Sequence, residues 1–249
     1  MRARLCAILL LLILLAGWEL ACRVGGISPL VVPAPGQVFQ TLWQELASGR
    51  LWPHIFTTAL EMSFGLALGC AIGLPVGIVL AEVGFLRRLL HPYIVACQVI
   101  PKLALGPLFI IWFGFGMTST VVITALICFF PLMENTIAGL TRVDPARLEL
   151  FRMLGATRLQ TLWRLKLPTA LPVILAGLRV SVVLALVGAV VGEFIGGRAG
   201  LGASIIAAQG VMDSALMFAL LVVITLLGML FYHAALTLER VLLRHHRNH

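Results

Sequence analysis

The sequence predicts an all-α integral membrane protein with about six transmembrane helices, organised as one domain over residues 1–249. Only 11% of the residues are charged, 61% are apolar, and the mean hydropathy is +1.07. A soluble domain carries roughly 25% charged residues, so lipid has to be the solvent for much of this chain. Hydropathy places the apolar spans at residues 5–22, 54–80, 92–113, 117–139, 170–194 and 215–238.

The basic residues predict how the chain is oriented. If the N-terminus is inside, thirteen Lys and Arg residues lie in cytoplasmic segments, whereas only Arg23, Arg50 and Arg198 lie outside. This positive-inside bias predicts that both termini are cytoplasmic. The net charge of +8 therefore reflects topology, and no nucleic-acid partner is predicted. The five scattered cysteines lack metal-ligand spacing, and we predict no metal or cofactor.

The first span has the form of a signal peptide, with basic residues before an apolar stretch. Cys22 suggests a lipoprotein cleavage site, but Glu19 is a poor fit to the apolar residues that precede such a cysteine. Because five more spans follow, cleavage is not needed for export. We predict that residues 5–22 remain as the first helix.

An outer segment over residues 23–53 separates the first two spans. Val38, Leu42, Trp43 and Leu46 recur at helical spacing and predict a short amphipathic helix at the membrane surface. The second span then carries glycines at every fourth position, a spacing that lets membrane helices approach closely.

The inner segment from Arg142 to Pro168 predicts two short helices. Asp144 is a suitable N-cap and is followed by proline at the first helical position. Gly155 is a C-terminal stop signal, and Thr157 with Gln160 forms a capping box for a second helix. We expect Pro168 to end this second helix.

The two short helices carry an apolar stripe that a loop of this size cannot bury in a domain of its own. Two interpretations remain open: the stripe lies along the bilayer surface, or it docks into a groove on a partner protein. The stripe consists of Leu148, Phe151, Leu154, Leu159, Leu162 and Trp163.

The stretch from Glu149 to Gly155, followed by Leu165-Lys-Leu-Pro168, resembles the "EAA…G…I-LP" loop of binding-protein-dependent ABC importer permeases. The stretch from Pro101 to Pro107 and the Gly192-Glu193 pair, together with the later Gly200-Leu-Gly202, resemble the nitrate, sulfonate and taurine branch. Permeases for riboflavin and thiamine precursors belong to the same branch. The similarity covers essentially the whole chain.

This resemblance implies a type I ABC importer (MetI-like) permease fold and a homodimer of permeases. It also implies two cytoplasmic ATP-binding subunits, an extracytoplasmic solute-binding protein, and a location in the bacterial inner membrane among its lipids. The loop at residues 142–168 would couple ATP hydrolysis to transport. Its expected coupling residues are Glu149, Phe151, Arg152, Leu154, Gly155, Ala156 and Pro168.

The chain departs from the family pattern at Leu150 and Phe151, where the family has two alanines after the glutamate. We therefore expect a compensating change in the partner's groove. The sequence has no GxxxxGK[ST] phosphate-binding loop. It is accordingly predicted not to be an enzyme, and ATP hydrolysis falls to a separate subunit.

Four ionisable residues at predicted membrane depth are candidates for a translocation pathway, because charges there are costly: Lys102, Glu134, Arg179 and Glu193. If the solute is anionic, Arg179 and Lys102 would attract it. The rival interpretation is structural, with Arg179 paired to Glu193 or Glu134. Gln98 and Asn135 are their polar neighbours.

The main alternative function is a secondary transporter or channel that needs no ATPase; the inverted repeats expected of such proteins are not visible. An intramembrane protease is disfavoured, because His233 is the only histidine well inside a predicted span. Branch membership allows sulfonates, taurine, nitrate, pyrimidine precursors and riboflavin as solutes. The sequence favours a small organic solute over nitrate.

Overall fold

The computed structural model describes residues 2–24 and 28–244, and the secondary structure of these residues is helical. A 3₁₀ turn at Lys102–Leu105 precedes α5, and a π-helical turn at Leu162–Lys166 joins α8 to α9. The helices are α1 (Arg2–Val24), α2 (Pro35–Ala47), α3 (Leu51–Glu82), α4 (Gly84–Val99), α5 (Gly106–Phe113), α6 (Met117–Thr141), α7 (Pro145–Met153), α8 (Arg158–Thr161), α9 (Leu167–Gly196), α10 (Leu201–Gly210) and α11 (Ser214–Arg244).

Within these described residues, four helices are long and apolar enough to cross a membrane: Leu51–Glu82, Met117–Thr141, Arg158–Gly196 and Ser214–Leu243. They coincide with the second, fourth, fifth and sixth predicted spans. The prediction of an all-α membrane protein is confirmed, while the number of six spans is approximate. Helix α1 coincides with the first predicted span.

The third predicted span, residues 92–113, is not one continuous helix. Helix α4 ends at Val99, Ile100 is extended with ψ 126°, and α5 begins only at Gly106. Pro101 explains the break, because proline lacks an N–H group and pushes the residue before it out of the helical region. The chain therefore bends between two short helices at this depth.

The prediction that Pro168 ends the second loop helix is also wrong. Pro168 lies in the first turn of α9, and the helix continues from Arg158 through the π-helical turn into the membrane span. In that turn the Leu167 N–H donates to the Leu162 carbonyl, five residues back. This wider spacing and the missing N–H of Pro168 are compatible with a continuous helix.

Helix α6 is the centre of the bundle and lies between α3 and α9. Glycines on α3 remove the side chains that would separate it from α6: a Cβ on Gly69 would lie 2.8 Å from the Ala125 carbonyl oxygen, and one on Gly73 would lie 2.8 Å from that of Phe129. On the other side, the Ser181 hydroxyl donates to the Cys128 carbonyl at 3.0 Å. The predicted close glycine packing is confirmed.

Gly69→Val is expected to reduce the yield of folded chain strongly, because the α3 and α6 backbones would have to separate. Overpacking a core typically costs about 1–3 kcal/mol, and here the obstacle is backbone rather than a movable side chain. Gly17→Val in α1 is the matched control, since nothing lies within 4 Å of a Cβ at Gly17. Size-exclusion chromatography of detergent extracts measures both; equal yields would contradict this packing.

The amphipathic helix predicted in the outer segment is α2, which packs against α11. Val38 is buried, and Leu42 and Leu46 pack against the cluster that α11 forms with α3 and α10. Trp43, which the sequence pattern placed on the same stripe, is instead 67% exposed. Helix α1 joins this side through Glu19, which accepts a hydrogen bond from the Gly36 N–H at 3.0 Å.

Candidate functional site

The two short loop helices are fixed by local capping interactions. The Asp144 side chain accepts a hydrogen bond from the Ala146 N–H at 3.0 Å and caps α7. At the start of α8, the Gln160 N–H donates to Thr157 Oγ1 at 3.2 Å, and the Thr157 N–H donates to Gln160 Oε1 at 2.8 Å. Both caps are the ones that the sequence predicts, so the loop has a defined shape before any partner binds.

Gly155 makes the turn between α7 and α8. Its φ is +71°, a left-handed conformation that side chains with a Cβ rarely adopt. The Gly155 N–H donates to the Arg152 carbonyl and the Ala156 N–H to the Phe151 carbonyl, both at 3.0 Å. A Cβ at Gly155 would meet nothing within 4 Å. The requirement for glycine is therefore one of backbone conformation and not of space.

The tip of the loop exposes apolar side chains on the chain surface. Leu148, Phe151 and Leu162 of the predicted stripe are half-buried against the protein. The tip that they support exposes five large apolar side chains, two of which, Leu150 and Met153, were not part of the predicted stripe. The five are Leu150, Met153, Leu154, Leu159 and Trp163. We call these five residues the apolar tip.

The base of the loop is attached to the membrane core. Lys166 Nζ lies 2.7 Å from Glu82 Oε1 at the end of α3, and both side chains are largely shielded. Leu165 is buried, and Leu162 packs against the cluster formed by α6 and α9. The base of the loop is therefore in direct contact with α3 and α9.

The predicted coupling residues fall into two groups by exposure. Four are exposed and available to a partner: Glu149, Arg152, Leu154 and Gly155. Phe151, Ala156 and Pro168 are half-buried and support the turn and the base of α9.

Lys102 and Glu134 are brought together by the bend between α4 and α5. They line a cavity of about 380 Å³ with Gln98 and Phe130. Gln98 Nε2 donates to Glu134 Oε1 at 3.1 Å, and Lys102 Nζ donates to the Gln98 carbonyl at 3.2 Å. The same ammonium group lies 4.9 Å from the centre of the Phe130 ring. This cavity therefore offers a cation, an anion, an amide and an aromatic face.

Arg179 does not line the cavity that contains Lys102 and Glu134. Its Nε is 3.0 Å from Glu239 Oε2 on α11, so the expected pairing of Arg179 with Glu193 or Glu134 is wrong. Arg179 lines a second cavity, of about 420 Å³, with Tyr232. Sequence reasoning missed Glu239 because no local pattern relates positions on α9 and α11 that are sixty residues apart.

Glu193 is the most deeply buried of the four predicted pathway residues, with 2% of its surface exposed. Its Oε1 accepts a hydrogen bond from Thr58 Oγ1 at 2.6 Å, and its Oε2 accepts one from the Gly202 N–H. These bonds join α9 to α3 and α10. The structure thus places the four residues in three separate environments.

Comparison with known proteins decides the family. Residues 73–247 match the family model described as the binding-protein-dependent transport system inner membrane component. The chain belongs to this family. It is the permease component of an ABC importer, a multi-pass inner-membrane protein, and permease components of this kind are not themselves enzymes.

Individual relatives extend the match over nearly the whole permease. The chain is 39% identical to the riboflavin transport system permease protein RibX of Chloroflexus aurantiacus, over 94% of this chain and 87% of that protein. It is 37% identical to the formylaminopyrimidine transport permease protein ThiX of Halalkalibacterium halodurans, over 94% and 93%. Identity to the taurine transport system permease protein TauC of Escherichia coli is 32%, over 92% and 86%.

The fold has counterparts among solved structures. An inward-facing structure of the MetNI methionine ABC transporter superposes with a TM-score of 0.70 at 20% identity, over 78% of this permease and 98% of that chain. The predicted type I importer fold and the predicted branch of the family are therefore confirmed.

Proposed function

We propose that this permease acts as a homodimer with two cytoplasmic ATP-binding subunits and an extracytoplasmic binding protein, and that it imports a small organic solute. The single observation that carries the proposal is the preformed loop, in which the apolar tip projects from a base anchored to α3 and α9. Such a surface suits a groove on an ATP-binding subunit. Closure of two such subunits would move α3 and α9 of each permease through this loop.

The second copy of the permease is proposed to cover the face that carries the Lys102–Glu134 cavity. Gln98 and Glu134 are exposed on this face, although they lie inside helices α4 and α6. Charged and amide groups are costly in hydrocarbon and normally face protein or water. A two-fold dimer would place two such cavities opposite each other and form a polar pathway between the copies.

The proposed orientation follows from the basic residues. Both termini and the apolar tip would be cytoplasmic, because Arg142, Arg147, Arg152 and Arg158 flank the tip. Arg247, one of the thirteen residues that support this assignment, lies outside the described residues.

The solute class is proposed from the cavity and from the relatives together. The named relatives transport riboflavin, formylaminopyrimidine and taurine, which are organic molecules. The Phe130 ring beside the Gln98 amide suits a planar polar solute, and the charges of Lys102 and Glu134 suit polar substituents.

Transport assays in proteoliposomes test this proposal. The permease, its ATP-binding subunits and its binding protein are reconstituted, and uptake of riboflavin, formylaminopyrimidine, taurine and nitrate is measured with and without enclosed ATP. We expect uptake of an organic solute that requires ATP and survives an uncoupler. Uptake that ends with an uncoupler and does not need ATP would establish the secondary transporter instead. Uptake restricted to nitrate would overturn the solute class.

A further inference from the structure

A cavity of about 420 Å³ lies at the end of the bundle opposite the coupling loop, where α2 and α3 meet α10 and α11. Part of its wall is apolar and is formed by the buried side chains of Leu51, Ala208 and Leu220. Polar and charged side chains form much of the remaining wall: Glu45, Arg50, His54, Arg198 and Ser204. We call this space the α10 cavity. Among the described residues, it has no lining residue in common with the two cavities that contain Lys102 and Arg179.

The charges at the α10 cavity do not cancel. Arg50 Nη2 pairs with Glu45 Oε1, so these two side chains neutralise each other. Arg198 is exposed and forms no ion pair with any residue that the structure describes. Basic residues are uncommon on the outer side of a membrane protein, and two of the three that the sequence predicts there line this cavity. One positive charge is therefore left over, which favours a negatively charged ligand.

The hydrogen bonds already made at the α10 cavity leave it rich in donors. His54 Nδ1 accepts from the Gly200 N–H at 3.1 Å, so a neutral imidazole carries its proton on Nε2 and can donate there. The Ser204 hydroxyl donates to the Gly200 carbonyl at 2.7 Å, which leaves its oxygen as an acceptor. The Arg198 guanidinium adds several donors in a planar fork that matches the geometry of an oxyanion. An oxyanion is therefore the ligand group that these side chains suit.

The loop that carries Arg198 is held in place before any ligand binds. The Leu201 N–H donates to Thr58 Oγ1 at 2.8 Å, and Thr58 Oγ1 donates to Glu193 Oε1 at 2.6 Å. Gly200 has φ +115°, and a Cβ there would overlap the Glu193 carboxyl group, so glycine lets the loop fold against α3 and α9. The backbone that presents the cation is thus preorganised, which reduces the entropy lost on binding.

We propose that the α10 cavity binds an organic anion. Arg198 and His54 bind its carboxylate, sulfonate or phosphate group, and its apolar part packs against Leu220. Apolar walls with a few converging polar groups are typical of small-molecule sites, and a volume of about 420 Å³ lies in their usual range. A free organic anion and the headgroup of an anionic lipid share this chemistry. The cavity is separate from the proposed pathway, so this inference does not depend on the proposed function.

Isothermal titration calorimetry of the purified permease in phosphatidylcholine nanodiscs at neutral pH tests the site. We expect benzenesulfonate to bind and the uncharged benzenesulfonamide to bind about tenfold more weakly, because it lacks the charge that Arg198 recognises. Arg198→Gln should weaken benzenesulfonate binding by a similar factor. Arg23→Gln is the matched control, because Arg23 is an exposed arginine that pairs with Glu19 in the preceding turn of α1, at 2.7 Å. No binding by the unmodified chain, or equal binding by Arg198→Gln, would overturn the proposal.

A cavity-filling variant tests the location of the ligand independently of charge. Ala207 is exposed and lines the cavity, so Ala207→Trp should occupy the space and weaken benzenesulfonate binding about tenfold or more. Ile206→Trp is the control, because Ile206 is the neighbouring exposed position of α10 and is not among the described lining residues. Size-exclusion chromatography verifies that both variants are folded. Unchanged binding by folded Ala207→Trp would place the ligand elsewhere and overturn the proposal.

Native mass spectrometry distinguishes the two sources of the anion. The permease is released from nanodiscs that contain phosphatidylglycerol, and its bound lipids are counted with and without benzenesulfonate. If a lipid headgroup occupies the cavity, the unmodified chain retains one more phosphatidylglycerol than Arg198→Gln does, and benzenesulfonate displaces it. If both chains retain equal numbers while benzenesulfonate still binds through Arg198, the ligand is a free organic anion. Both results support an oxyanion site and differ only in the source of the ligand.

Discussion

Replacing Gly155 with valine is expected to abolish uptake while leaving the permease folded in the membrane. The residue has φ +71°, and a side chain with a Cβ costs about 1–2 kcal/mol there, with β-branched residues the least suited. Because a Cβ at this position would meet nothing within 4 Å, we expect the effect to act through the angle between α7 and α8. Uptake in proteoliposomes, normalised to folded protein, measures this effect.

Gly155→Asn is the matched control. Asparagine tolerates the left-handed region far better than valine does, so this variant should retain most of the uptake although its side chain is larger than that of glycine. If both variants transport normally, the direction of the turn is irrelevant to coupling. If both fail equally, a side chain at the surface is the obstacle and not the backbone.

Replacing Lys102 with methionine is expected to lower uptake about tenfold. Methionine keeps the length of the side chain but removes the charge that lies over Phe130 and bonds to the Gln98 carbonyl. A tenfold loss corresponds to about 1.4 kcal/mol, which is within the range of a desolvated cation–π contact. The loss should appear in solute uptake, while assembly with the ATP-binding subunits stays intact.

Arg88→Met is the control for this experiment, because Arg88 is an exposed cation on α4 that bonds only locally, to the Gly84 carbonyl. It should transport as the unmodified permease does. Normal uptake by Lys102→Met would remove the cavity from the proposed pathway. A loss of assembly in Lys102→Met would assign the residue a structural role instead.

Local signals predicted the loop well. Asp144, Thr157 and Gln160 act within a few residues of their partners, so their caps could be predicted from sequence alone. Gly155 likewise fulfils a purely local requirement. The glycines of α3 predicted close packing because their spacing matches one helix face, although the sequence could not identify α6 as the partner.

Ion pairs between residues on distant helices could not be predicted from the sequence. Nothing near Arg179 indicates Glu239, and nothing near Glu82 indicates Lys166, because each pair forms only when distant helices pack. The bend at Pro101 was missed because hydropathy averages over a window and is insensitive to a proline. The same bend brings Lys102 close to Glu134 at the candidate cavity. Pro101 is a local signal for this break in the helix, although the hydropathy pattern did not show it.

Helix α9 links the two ends of the proposed mechanism. It has 30 residues, which corresponds to about 45 Å. Its first turn follows the coupling loop, and Glu193 near its end accepts hydrogen bonds from Thr58 of α3 and from the Gly202 N–H of α10. A movement that begins at the apolar tip therefore has a continuous rigid element through which to reach the α9–α10 loop.

The central claim is that the apolar tip contacts an ATP-binding subunit. A photoreactive amino acid at Met153, which is 83% exposed, tests this contact in native membranes. Val211, at the far end of the bundle and 76% exposed, is the matched position. The account predicts that the probe at Met153 cross-links to an ATP-binding subunit and that the probe at Val211 does not. Cross-linking of Met153 to lipid alone would contradict it and would place the apolar tip on the bilayer surface.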